Sequence, residues 1–147
     1  MCVRAARQAR KKERFFMDEA MQKKLLTAAA EARLSARVPS SGFHVGAALL
    51  TKSGEIFTGC NVELENFLIS ICAERCALVK AISSGYTEFS AIAVVTDSPD
   101  PQSPCGTCRQ WLADFGLDWM VIMAGCGLDR VQTVTVRELL PFAFLGG

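Results

Sequence analysis

No stretch of apolar residues approaches the eighteen or so that a membrane-spanning helix needs, although half of the 147 residues are hydrophobic and the mean hydropathy is +0.24. No apolar run of secretory type follows the N-terminus, so export is not expected. No internal repeat or low-complexity linker interrupts the chain, which is long enough for one domain and short for two. Basic charge is scarce after the first sixteen residues. Arg4, Arg7, Arg10, Lys11, Lys12 and Arg14 against Glu13 put +5 into residues 1–16, so that of the overall +1 the other 131 residues carry −4. A mildly acidic body has no basic stripe for nucleic acid and points to a small-molecule substrate. Residues 1–16 read as a basic extension: solvated and disordered, an Arg-rich targeting segment, or a contact arm. Residues 17–147 read as a single catalytic domain. The surplus of apolar residues in a chain without a membrane span is best used between subunits, which predicts an oligomer.

What is present alternates helical and strand-like patterns. Ala20, Leu25, Ala28, Ala29, Ala32 and Leu34 recur at spacings of three and four, predicting a helix from an Asp18 cap to about Arg37. Val38-Pro39-Ser40-Ser41-Gly42 ends it. Phe43–Thr51 reads as a buried strand, and Gly46 within it marks a close backbone approach. Residues 52–55 form a hairpin turn into a second strand, Ile56–Cys60. A connection over residues 61–71 leads to a helix from Cys72 to about Ser84, closed by Gly85. Residues 89–96 form a strand apolar on both faces. A loop with three prolines then precedes a helix from about Cys105 to Phe115. Strands follow at 119–124 and 131–134. Thr135 and Glu138 have the spacing of a capping box for a last short helix that Pro141 stops. The order α-β-β-α-β-α-β-β-α predicts an α/β fold, an α/β/α sandwich with helices flanking a mixed five-stranded sheet.

Seven cysteines, an odd number without a secretory signal, argue for a reduced, cytoplasmic setting with metal-bound thiolates rather than a disulfide framework. Three of them, Cys72, Cys105 and Cys108, fall where helices are predicted to begin. Helix N-termini carry free N–H groups and partial positive charge, which favour thiolates. Three thiolate ligands suit Zn²⁺ and leave a fourth position open for water. Glu74, two residues from Cys72, is placed to move protons to and from that water. Arg75 is placed to offset the charge of three thiolates on a divalent ion by hydrogen-bonding the sulfurs. A closed structural zinc site would need Cys60, Cys76, Cys126 or His44 as its fourth ligand. Cys60 and Cys76 read as core residues.

Several segments together extend this pattern: Phe43–Leu50, Gly59-Cys60-Asn61-Val62-Glu63, Ile71-Cys72-Ala73-Glu74-Arg75, Ser103-Pro104-Cys105-Gly106-Thr107-Cys108-Arg109-Gln110 and Glu138-Leu139-Leu140-Pro141. Over nearly all of residues 20–144 the sequence resembles the small, homotetrameric branch of the cytidine deaminases. The resemblance implies zinc on Cys72, Cys105 and Cys108, and Glu74 as the proton shuttle. Zinc-bound hydroxide would then attack C4 of cytidine or deoxycytidine, releasing ammonia. It further implies Asn61 and Glu63 on the ribose hydroxyls, Phe43 packed on the nucleoside, the backbone of Ala73 on the base, and Phe144 reaching over a neighbouring subunit's site.

The resemblance breaks at Leu64-Glu65-Asn66-Phe67, where the family usually continues Asn-Ala, a small residue, then Tyr. Phe67 lacks the hydroxyl that the Tyr offers near the sugar 5′ end, and Ser40 stands in place of a usual Tyr. A missing polar partner shifts discrimination. A modified or N4-substituted cytidine, or a cytosine-nucleoside antibiotic, is therefore the alternative substrate. A non-catalytic zinc domain binding RNA or protein through the basic arm is a second alternative, which Glu74 speaks against.

Overall fold

The computed structural model describes residues 17–146, and the basic arm at 1–16 lies outside the described residues. The elements are α1 (Glu19–Arg33), β1 (Val45–Thr51), β2 (Ile56–Cys60), a 3₁₀ turn (Phe67–Ile69), α2 (Ala73–Ser83), β3 (Phe89–Thr96), α3 (Gly106–Asp114), β4 (Met120–Ala124), β5 (Val131–Thr135) and α4 (Val136–Leu139). Asp18 caps α1 by accepting from the N–H of Ala20, and the Thr135–Glu138 capping box forms at α4.

The strands assemble in the order β2-β1-β3-β4-β5. Only β3 and β4 are parallel, and the other three pairings are antiparallel, so the sheet is mixed. Side-chain alternation splits the core. Ala47, Leu49, Ile92, Val94, Val121 and Met123 meet α2 and α3 on one face, through Ala77, Leu78, Ala81 and Leu112. Ala48, Ala91, Ala93, Val95 and Ile122 meet Leu25, Leu26 and Ala29 of α1 on the other. This is the expected α/β/α sandwich. No helix of the described residues is long and apolar enough to cross a membrane.

Small residues let the helices approach closely. A Cβ on Gly46 would lie 1.9 Å from the Ala29 carbonyl oxygen of α1, and a Cβ on Gly59 2.5 Å from the Ala77 nitrogen of α2. One glycine seats a helix on each face of the β1–β2 hairpin. Because the obstacle at Gly46 is backbone, Gly46→Ala must push α1 off the sheet. Overpacking of this kind costs about 3 kcal/mol, which for a chain of this size lowers Tm by roughly 10 °C in a thermal melt.

Two boundaries differ from expectation, for one reason. Helix α1 stops at Arg33 rather than near Arg37, because the Arg37 backbone pairs with residues 61–63: its N–H donates to the Asn61 carbonyl, and its own carbonyl accepts from the Glu63 N–H. Strand β1 starts at Val45 rather than Phe43, because side chains take over the backbone bonds of residues 43–45. The Phe43 N–H donates to Ser41 Oγ, its carbonyl accepts from Asn61 Nδ2, and the N–H groups of His44 and Val45 donate to Asp97 and Asn61. Long-range partners, backbone groups at Arg37 and side chains at residues 43–45, outcompeted the local pattern.

Candidate active site and metal centre

Helices α2 and α3 begin beside one another. Cys72, in an extended conformation, is the N-cap of α2, and Cys105, also extended, is the N-cap of α3. The Cys105 sulfur accepts from the Cys108 N–H at 3.5 Å, which folds the Cys-x-x-Cys segment into the first turn. The sulfurs of Cys72, Cys105 and Cys108 lie within 4.8 Å of one another, with Cys72 and Cys105 3.8 Å apart. Thiolates at about 2.3 Å from a tetrahedral metal sit about 3.8 Å from each other, so the donor set fits a zinc ion. Among the described residues this is the only cluster with metal-binding spacing. His44 is not part of it: its Nδ1 lies 2.7 Å from Asp97 Oδ2. Cys60 and Cys76 are half-buried and Cys126 is exposed, all outside the cluster.

The protonation states follow from the packing. A hydrogen bond from Cys108, with further ones from Arg75 and Cys105, outweighs burial and brings the Cys72 thiol down to about 5. The Cys108 thiol is pushed far up, because its proton is held by Cys72 and it is buried beside Glu74. Cys108 is fully buried and Cys105 exposed, so the cluster has one side toward the core and one toward solvent. Arg75 Nη2 approaches the Cys72 sulfur at 3.6 Å and the Ser70 carbonyl at 3.5 Å, which puts one positive charge next to the lowered thiol of Cys72. Glu74 is 4 % exposed. Burial, reinforced by the neighbouring Cys72, raises its carboxyl to about 7. A carboxyl that titrates near neutrality takes and returns a proton with little driving force lost in either direction.

A pocket opens over this cluster. Its wall includes Phe43, Asn61, Cys72, Ala73, Glu74 and Cys105, all singled out in the sequence, and also Val45, Val94, Thr96, Gln102 and Ser103. Thr96 and Gln102 had no motif to mark them. The available signal was position, since both follow the C-terminal end of β3, where α/β sheets place ligands. Three of the candidates for substrate contact are not on this wall. Glu63 is buried, its carboxylate accepting from the N–H groups of Ser40 and Ser41 at 3.0 Å each and from the Ser41 hydroxyl. The Ser41 hydroxyl and the two backbone donors outweigh burial and hold that carboxyl below the usual range. Phe67 is 57 % exposed on the 3₁₀ turn, and Phe144 is 78 % exposed, held through its carbonyl by Gln110 Nε2. Asn61 uses Oδ1 on Val45 and Nδ2 on Phe43, and an amide retains a second proton and a second lone pair for a ligand.

Three thiols at the starts of two helices, opening on a pocket over a mixed sheet, form a cluster that could hold a metal ion, with a buried carboxyl beside it. Comparison with known proteins names the family. Residues 19–124 match the family described as the cytidine and deoxycytidylate deaminase zinc-binding region. The cytidine deaminase of Sporosarcina psychrophila is 45% identical over 121 residues, covering 82% of this chain and 89% of that protein. That of Halalkalibacterium halodurans is 46% identical over 120 residues, covering 82% and 91%. The crystal structure of the cytidine deaminase from Burkholderia pseudomallei superposes with a TM-score of 0.80 at 41% identity, covering 87% of this chain and all of that one. The chain belongs to the cytidine and deoxycytidylate deaminase family.

Proposed function

We propose that the protein is a zinc-dependent hydrolase that converts cytidine and deoxycytidine to the uridine nucleosides and ammonia. The observation that carries this reading is the coincidence, in one pocket, of a three-sulfur cluster of metal-binding spacing with a buried carboxyl poised near pH 7. Cys72, Cys105 and Cys108 hold the metal. When bound, zinc is the Lewis acid that makes water a nucleophile near neutral pH. Glu74 would take one proton from that water and pass it to the cytosine N3, then take the second from the hydroxyl now on C4 and pass it to the amine, which leaves as ammonia; its raised pKa suits both transfers. The Ala73 backbone meets the base and Phe43 covers its face. Asn61 uses its spare amide proton and lone pair for the ribose hydroxyls. Glu63, with three of its roughly four lone-pair sites engaged, has room for one more donor. Arg75 tempers the charge of the sulfurs.

The exposed apolar groups support assembly. Leu68 and Ile69 beside Phe67, and Phe142 and Leu145 beside Phe144, are open to solvent in one chain, an arrangement that suits burial in a homotetramer with sites shared between subunits. The free thiols among the described residues suit a reducing, cytoplasmic location.

Purified protein loaded with zinc is expected to abolish the cytidine absorbance band with release of one ammonia per nucleoside. No turnover with zinc fully bound would defeat the reading. The changed segment Leu64–Phe67 motivates the second substrate class, and a panel of free and N4-substituted cytosine nucleosides compared by kcat/KM separates the two. Plain cytidine is expected to lead by about tenfold or more, since one extra carbon on N4 in a pocket shaped for the bare amine costs about 1–3 kcal/mol.

A further inference from the structure

Part of the pocket wall, at Phe43 and Thr96, is held by a junction that the chemistry described so far does not use. Phe43 contributes to the pocket but lies outside the β1 ladder, whose last pair with β3 is Val45 with Thr96. Beyond that pair the two chains are tied by Asp97. Its Oδ2 accepts from the His44 N–H at 2.8 Å and lies 2.7 Å from His44 Nδ1, and its own N–H donates to the His44 carbonyl at 3.1 Å. Its Oδ1 accepts from Arg33 Nη1 at 3.1 Å, and the same Nη1 donates to the Thr96 carbonyl at 2.8 Å. Arg33 stands in the last turn of α1 and is mostly buried. One carboxylate thus joins the end of α1, the residue next to Phe43, and the end of β3, where Thr96 faces the same pocket.

We propose that Asp97, with His44 and Arg33, is the positioning device that holds Phe43 against the nucleoside. The aromatic ring stands on a backbone with no strand partner of its own. Its N–H is held by Ser41 Oγ and its carbonyl by Asn61. The next peptide, between Phe43 and His44, is held by Asp97. A single charge-assisted contact fixes an N–H and an imidazole at once, and this is stronger than a neutral bond at the same place. None of the three side chains is a ligand to the sulfur cluster, so loosening the junction acts on binding of the nucleoside rather than on the metal or Glu74.

His44→Ala removes the ring contact and leaves the backbone bond. It is expected to raise KM for cytidine about 3- to 10-fold, with kcat within twofold and zinc content unchanged. His44→Asn places an amide N–H where Nδ1 stood, and is expected to return KM to within twofold of the unaltered protein. Asp97→Asn, which drops the charge facing both Arg33 and His44, is expected to match or exceed the His44→Ala effect. Should Asp97→Asn fail to fold, the two His44 variants decide. Unchanged KM in His44→Ala overturns the proposal. So does a fall of kcat, zinc content and Tm together that His44→Asn does not rescue, since that is the signature of simple destabilisation. The proposal rests on the deaminase reading, and the outcomes separate: absence of turnover in the unaltered protein overturns that reading, whereas equal KM values overturn this one alone.

Discussion

Glu74→Gln is expected to lower kcat for cytidine by roughly 10³-fold, about 4 kcal/mol of barrier, while zinc content stays at one ion per chain. The amide keeps the shape of the carboxylate at a 4 % exposed position, so the packing around Ala73, Cys108 and the start of α2 has no reason to change. What disappears is the ability to take a proton and give it back. The side chain that burial holds near pH 7 is replaced by one that does not titrate in the working range. Steady-state kinetics with metal analysis on the same sample checks both halves. Loss of turnover with loss of zinc would make Glu74 a structural support of the metal site, and full turnover would remove it from the mechanism.

Stripping the metal is expected to act on stability as strongly as on rate. Zinc present at a thousandfold excess over its Kd contributes about 4 kcal/mol to the folded state, so chelation should lower Tm by on the order of 10 °C in a chain of this length. The reason is local. Folding brings three thiols within 4.8 Å, two of which compete for one proton, and a divalent ion removes that competition. Activity should fall below about 1% and return when zinc is restored. In Cys108→Ser, restored zinc should recover neither activity nor the lost melting temperature, because a buried hydroxyl is a far harder and less acidic donor than a thiol. A variant that binds zinc at unchanged affinity would take Cys108 out of the ligand set.

The parts of the molecule that were legible in the sequence are those with local causes. Alternating apolar strands, an alanine-rich helix opened by Asp18, the Thr135–Glu138 box and the Gly46 approach all appear as read, because each depends on a few neighbouring residues and on one buried face. The chemical core was equally legible. Thiols spaced by two residues at a helix start, and a carboxylate two residues from a third thiol, need only that two helices begin at one place. What escaped is what depends on partners remote in sequence. Thr96 and Gln102 reach the pocket through the end of β3 and the proline loop. Phe43 leaves its strand because Ser41, Asn61 and Asp97 supply bonds from positions up to 53 residues away. Glu63 has its oxygens engaged by Ser40 and Ser41, more than twenty residues earlier in the chain.

Composition, periodicity and the cysteine motifs by themselves determined an α/β sandwich and a three-thiol cluster with Glu74 two residues from one of its members. Each of these is a matter of residue type and short spacing, which the chain carries wherever it folds. Only the tertiary structure decided how acidic each group is and which side chains border the substrate. Burial of Glu74 sets its proton affinity, and the meeting of α2 with α3 gives Cys72 the partners that draw its thiol down. The Asp97 junction determines where Phe43 stands. Desolvation and long-range hydrogen bonds do not exist until the layers have packed, and no local pattern encodes them.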